Sequence, residues 1–316
     1  MKKIILTQSF LILVSIGFSQ QIPQFSQYMR NHFFINPAAA GSYDFVDINL
    51  SGRSQWTGFD NSPKSSFANF TTVLQQQKNA YRSTNLRNLP EVSTGKMKQA
   101  IGAQLQLDEY GAFQNMNCSG AYAIHLPINN KINVSFGTKI GFSNYTFISS
   151  RAEVKDAEND KTYLDYTSNN SNKFIFNLGT GLYMYSKRFF IGIAADQITK
   201  GFVSFGGSSS VNFDPQVYYN AIGGVSLKLS NNVSISPSFL IKYMLHAPLS
   251  SEGSIKVEYN KRFWAGISYR NSNTIIGMLG MNINTKLKFG YSFDYSLSRF
   301  NNYSHGSQEL ILGIMF

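Results

Sequence analysis

Between Lys286 and Ser298 the chain alternates with a period of two. Leu287, Phe289, Tyr291, Phe293, Tyr295 and Leu297 fall on one parity; Lys286, Lys288, Gly290, Ser292, Asp294, Ser296 and Ser298 fall on the other. A pleated strand sends these two sets to opposite faces, so the stretch has one apolar, aromatic face and one polar face. The same split recurs at Val233–Leu245, where Val233, Ile235, Phe239, Ile241, Tyr243 and Leu245 oppose Ser234, Ser236, Ser238 and Lys242. It recurs again at Val217–Leu229, Phe174–Met184 and Ile132–Phe142. In the last of these the parity slips near Asn144, which predicts a β-bulge there.

Counted along the chain, such segments predict about fourteen strands, an even number of the kind bacterial outer-membrane barrels use. The segments are 44–56, 64–75, 97–110, 112–127, 131–148, 173–186, 188–197, 216–229, 233–245, 252–261, 262–270, 274–283, 285–300 and 306–316. Their connections alternate in length. Ile128–Lys131, Ser186–Arg188, Ser230–Asn232, Asn260–Lys261 and Asn284–Thr285 are tight, whereas 149–172 and 200–215 are long and polar.

A soluble sandwich also alternates, with its apolar face inward. Three features select a membrane barrel instead. The strands are longer than the usual five or six residues and suit a tilted crossing of a bilayer. The polar parity is rich in Ser, Gly, Asn and Lys, which fits a lumen too wide for side chains alone to fill. The chain ends on Leu310, Leu312, Ile314 and Phe316, alternate apolar residues closing on a terminal aromatic. Only 14% of residues are charged while 15% are aromatic, so the chain is unlike a disordered one. No apolar run past residue 20 is long enough for a membrane helix. The expectation is an all-β fold: a closed transmembrane outer-membrane β-barrel with an N-terminal periplasmic or plug segment.

Residues 1–19 read as a signal peptide: Lys2 and Lys3, an apolar core from Phe10 to Phe18, then Gly17 and Ser19 ahead of the cleavage point. No cysteine follows, which excludes a lipoprotein. Residues 20–42 form the N-terminal segment and 43–316 the barrel, with an insertion at 76–96. If the tight turns face the periplasm, both termini are periplasmic and the long loops lie outside. The insertion, periplasmic on that parity, carries Lys78, Arg82, Arg87 and Lys96 against Glu91 alone. It reads either as a docking element for a periplasmic partner, through Lys78, Arg82 and Arg87, or as a solvated loop.

Catalytic, cofactor and metal motifs are not found. His32, His125, His246 and His305 are far apart and form no HxH or HExxH pattern. His125 falls on lumen parity, but no G-x-S-x-G elbow accompanies it, and it reads as a lining residue. Cys118, the single cysteine, shares its parity with Met116, Tyr122 and Ile124 and is expected to face lipid. The net charge is +11, and +9 once Lys2 and Lys3 leave with the signal peptide. Its cations are scattered among turns and lumen positions, which disfavours nucleic acid and suits lipopolysaccharide or an acidic partner.

The sharpest motif lies before the first strands: Gln21-Ile-Pro-Gln-Phe-Ser-Gln-Tyr-Met29, then Ile35-Asn-Pro-Ala-Ala-Ala-Gly41, then Arg53-Ser-Gln-Trp-Thr-Gly-Phe59, with Ser62-Pro-Lys64 behind. The three elements at this spacing resemble the PorP/SprF family of outer-membrane proteins in the type IX secretion system of Bacteroidetes. Two features depart from the family pattern: Ile22, where an acidic residue is common, and the long 76–96 insertion. Physically, Gln24, Gln27 and Asn36 supply donors and acceptors, and Phe25 and Tyr28 supply anchors. Pro37 and Gly41 suit a turn before strand one. Residues 20–42 are therefore expected to fold against the periplasmic mouth or into the lumen. Arg53, Gln55, Trp56, Gly58 and Phe59 belong at the outer end of strand one, where Trp56 is either a girdle residue or a wall contact for cargo.

The resemblance implies a non-enzymatic component that supports secretion or surface attachment of cargo proteins bearing a C-terminal sorting domain, gliding adhesins among them. It also implies links to a periplasmic peptidoglycan-binding lipoprotein and to the ring of the secretion machine. A porin or substrate channel is the alternative reading, and an outer-membrane enzyme is a third class.

Overall fold

The computed structural model describes residues 24–59, 61–74, 92–160, 163–164, 167, 172–199, 204–205, 216–245, 247–299 and 303–316. Fourteen antiparallel strands close into one barrel. In chain order they are β1 (Asp47–Ser54), β2 (Lys64–Val73), β3 (Lys98–Tyr110), β4 (Phe113–Asn129), β5 (Ile132–Phe147), β6 (Asn172–Ser186) and β7 (Phe189–Asp196). There follow β8 (Tyr218–Val225), β9 (Val233–Met244), β10 (Ser250–Tyr259), β11 (Phe263–Arg270), β12 (Thr274–Asn282), β13 (Leu287–Ser296) and β14 (Ser307–Met315). Two residues beyond β8, Leu227 and Lys228, extend its pairing with β9, and Ser204–Phe205 bridges to β6. Each strand pairs with its sequence neighbours, and β1 closes on β14 in register from Asp47 opposite Met315 to Ser54 opposite Gln308. The terminal Phe316 completes that seam by exchanging backbone hydrogen bonds with Val46, at 3.0 and 3.2 Å.

The alternation resolves as apolar outward and polar inward. On β1, Asn49, Ser51 and Arg53 are buried while Leu50 is exposed. On β13, Ser292 and Asp294 are buried while Tyr295 is exposed. Leu105, Phe136, Ile140, Ile193, Ile255 and Leu279 stand on the outer surface, and Cys118 is among the outward residues. An exterior band of this composition is what a lipid-facing barrel presents. No helix among the described residues is long and apolar enough to cross a membrane. Asn260 and Lys261 both adopt φ 53°, the left-handed conformation that a two-residue hairpin needs to match strand twist.

The bulge lies elsewhere than expected. The ladder runs unbroken through Asn144, opposite Met116 on one side and Phe174 on the other. The register shift falls between Pro127 and Asn129 of β4, where proline has no N–H to give the ladder. The apparent slip at Asn144 reflects the strand's end: Tyr145 takes the inward parity and hydrogen-bonds Gln197.

The hydrophobic clusters, unusually, lie inside the barrel and are built by residues 25–40. Phe25, Phe34 and Phe67 form a three-ring cluster with centroids 4.7 Å apart, against Ile311. Phe33 and Ala40 pack on Ala121 and Ala123 of β4. Tyr28, Ile35, Ala38 and Ala39 pack with Tyr183, Tyr185, Ile222 and Leu240.

Candidate functional site: the lumen contacts of residues 24–42

This segment touches inward-facing residues of strands on every side of the closed sheet, and therefore lies in the lumen. Its local structure is short turns: 3-10 turns at Tyr28–Arg30 and Pro37–Ala39 flank one α-helical turn, His32–Ile35. Asn31 and Asn36 cap the last two, accepting from Phe34 N–H at 3.3 Å and Ala38 N–H at 2.9 Å. Gly41 has φ 68° and lies against Ala100, so any side chain there would meet both backbone strain and β3.

At one level of the lumen is a buried ionic network. Asp294 of β13 accepts from Arg53 of β1 at 2.8 Å and from Arg270 of β11 at 3.2 Å. Arg270 also holds Glu252 of β10 at 2.7 Å, and Arg53 approaches Glu309 of β14 at 3.5 Å. Ser26 is inserted at its centre. Its hydroxyl lies 2.9 Å from Asp294 Oδ1 and receives bonds from Arg53 and Arg270 at 3.0 and 3.2 Å. Its backbone N–H donates to Glu309 at 2.7 Å, and the Gln27 N–H donates to the other oxygen of that carboxylate at 3.3 Å. Pairing offsets much of the cost of taking these charges out of water, while Arg53 Nε and Glu252 Oε1 find no hydrogen-bond partner among the described residues.

Below this level Tyr28 hydroxyl contacts Ser238 of β9 and Ser254 of β10 at 3.0 and 3.1 Å. Burial pushes its phenol up to about 12, so it stays neutral. Arg30 donates to Asn282, the last residue of β12, at 3.3 Å. The segment thus runs lengthwise, from the level of Arg53 to the tight-turn end. His32 Nδ1 then meets Tyr183 hydroxyl at 2.8 Å, and burial, with Lys256 adding to it, lowers the imidazole to about 4.

The Asn-Pro-Ala-Ala-Ala-Gly element docks on the opposite wall. Asn36 Nδ2 donates to Leu182 O of β6 at 2.9 Å and Ile193 O of β7 at 3.1 Å. Ser135 donates to Ala38 O at 2.6 Å, and His125 Nε2 lies 2.7 Å from Ala40 O with Nδ1 3.0 Å from Tyr185 hydroxyl. Glycines make room for it. A Cβ on Gly137 would stand 2.5 Å from Ala38 N, and one on Gly192 would stand 2.8 Å from Asn36 Nδ2. The segment leaves the lumen at Ser42, whose carbonyl accepts from Lys98 at 2.9 Å. Asn36→Ala is expected to cost about 1–3 kcal/mol in urea unfolding, because three hydrogen bonds go at once and the Ala38 N–H is left buried without its acceptor.

Of the residues singled out from sequence, Phe25, Gln27, Tyr28, Asn36, Pro37 and Gly41 are buried within the lumen together with Arg53. Gln24 is half-buried at the segment's start. Gln55, Trp56, Gly58 and Phe59 stand apart, in the β1–β2 connection at the long-loop end. There Trp56 N–H donates to Ser307, Thr57 N–H donates to Gly306 O at 2.9 Å, and Phe59 is exposed. Lys78, Arg82 and Arg87 lie outside the described residues. Ser26, Glu252, Arg270, Asp294 and Glu309 were not singled out. The available signal is charge on the inward parity of otherwise uncharged strand faces, as at Arg270 and Glu309. No cluster of His, Cys, Asp or Glu suited to a metal is present among the described residues.

Solved structures similar to this chain include the CymD monoaromatic hydrocarbon channel, at 10% identity and a TM-score of 0.50, covering 93% of this chain and 92% of that one. The Pseudomonas putida toluene transporter TodX follows at 9% identity and 0.46, covering 90% and 92%. The outer membrane protein Omp33 of Acinetobacter baumannii stands at 11% and 0.45, covering 86% and 99%. At such identity the CymD likeness shows the barrel fold alone. No curated protein matches the chain. The family described as type IX secretion system membrane protein PorP/SprF matches residues 17–314, and the chain belongs to that family.

Proposed function

We propose that this barrel is a non-enzymatic outer-membrane component of type IX secretion that supports export or surface attachment of particular cargo proteins with a C-terminal sorting domain. The observation that carries the reading, beside family membership, is where the family-like motifs go. Phe25–Met29, Asn36–Gly41 and Arg53 are spent on holding a segment inside the lumen, which leaves rim and loops as the surfaces for partners. In this reading the tight turns, Phe316 and the segment's exit at Ser42 face the periplasm, and the long loops face outward. The periplasmic partners are a peptidoglycan-binding lipoprotein and the secretion ring, with 76–96 as one docking element. Affinity at such a rim would come from a few aromatic or arginine anchors rather than from area.

The test is quantitative proteomics of medium and cell surface after deletion of the gene. Loss of one or a few sorting-domain proteins, with other cargo normal, is the expected result. Unchanged fractions together with reduced small-solute uptake would replace this reading with that of a channel.

A further inference from the structure

Beneath the N-terminal segment, at the tight-turn end, the barrel holds an open cavity of about 430 Å³, within the size range of ligand sites. Among the described residues seven basic side chains line it against one acid, Glu258. Arg30, Lys256 and Lys288 are half-buried at its depth; Lys187, Arg188 and Lys228 are exposed at its rim. Lys288 has Asp47 at 3.2 Å and Lys256 has Glu258 at a long 3.5 Å. Among the described residues no carboxylate pairs with Arg30, whose guanidinium lies over the Trp264 ring at 5.4 Å. Arg30 stands close enough to Lys256 and Lys288 to repel both. Like charges held together away from bulk water raise the energy of the empty site, and an incoming anion lowers it.

We propose that this cavity is a binding site for an acidic peptide segment of a partner protein. The floor selects the class of anion. Met29, His32, Tyr43 and Phe190, all half-buried, line the same cavity over the fully buried Tyr183 and Tyr185. An inorganic anion would leave that aromatic surface uncovered, whereas a chain carrying both carboxylates and apolar side chains covers it while meeting the cations. A lipid is the wrong shape: the ladder β6–β7–β8–β9–β10 is continuous behind the cavity, so acyl chains have no lateral entry from the bilayer. The inference stands on this cavity alone and does not depend on the secretion reading.

The test uses the full-length protein in detergent and a fluorescein-labelled peptide of alternating Glu and Tyr, read by anisotropy. The same peptide with Lys for Glu, inorganic phosphate and phosphatidylglycerol vesicles serve as comparison and competitors. One-to-one binding of the Glu/Tyr peptide is expected, weakened at least about tenfold in the Arg30→Gln/Lys256→Gln double variant. Affinity should fall as salt rises from about 50 to about 500 mM. Lys155→Gln, on the long loop after β5, should bind as wild type. If the double variant fails to show the heat-dependent gel mobility of a folded barrel, the exposed Lys228→Gln with the same salt series takes its place. Equal binding of the Lys/Tyr peptide, or unchanged binding in the variants, would overturn the proposal. Full displacement by millimolar phosphate would make this a small-anion site, and displacement by vesicles a lipid site, either of which also overturns it.

Discussion

Replacing Asp294 with alanine is expected to destabilise the folded barrel by about 3–5 kcal/mol, the usual cost of removing one partner from a buried ion pair. Asp294 is 3% exposed and is shared by Arg53, Arg270 and Ser26. Its loss leaves the Ser26 hydroxyl without an acceptor and two guanidinium groups short of a counter-charge in a volume that water reaches poorly. Urea unfolding in lipid vesicles, followed by tryptophan fluorescence, measures the effect. An internal comparison sets the scale. Arg151 pairs with Glu109 at 3.1 Å with side chains 37% and 28% exposed, so Arg151→Ala should change stability by no more than about 1 kcal/mol. Equal effects at the two sites would mean that the network at Asp294 is hydrated, and that Ser26 is not held by it.

The second large effect is expected at Gly137. A side chain there meets backbone atoms, Ala38 N and Cα and Pro37 C, which have no rotamer to give way. Gly137→Leu should therefore expel the Asn36–Gly41 turn while leaving the β4–β5–β6 ladders intact, since those bonds use backbone groups. Overpacking of about 1–3 kcal/mol corresponds to an increase of about five- to 150-fold in amide hydrogen exchange over residues 33–42. Mass-spectrometric exchange reads this by peptide. Gly253→Leu is the control, since nothing lies within 4 Å of a Cβ at that position. Unchanged exchange in a folded Gly137→Leu barrel would show that the turn does not dock on β5.

The barrel was legible because its determinant is local. Alternation such as that of Lys286–Ser298 needs only neighbouring residues, and the hairpin turn at Asn260–Lys261 is marked by residue type. The bulge was misplaced because a parity change at a strand's end, where Tyr145 turns inward, imitates an inserted residue. The site was legible only by half. Phe25, Tyr28 and Asn36 stood out as anchors and hydrogen-bonding groups in an unusual run. Ser26 did not, because its role arises from Asp294, 268 residues away in sequence. Gly137 and Gly192 look like any strand glycine until the Asn-Pro-Ala turn is placed against them. In the sequence Arg53 stands beside Gln55, Trp56 and Phe59, and nothing local separates it from them. One step of strand parity sends it into the lumen while the others form a turn bound to Gly306.

Residues 24–42 lie in the lumen against strands on every side, and as a plug they would keep the barrel from serving as an open channel. Planar-bilayer conductance of the wild-type protein and of a variant lacking residues 24–42 tests this most directly. The expected result is a wild type that stays closed at moderate voltage and a folded deletion variant that conducts steadily. A wild type with steady, large conductance, or a folded deletion variant that remains as closed as the wild type, would contradict it.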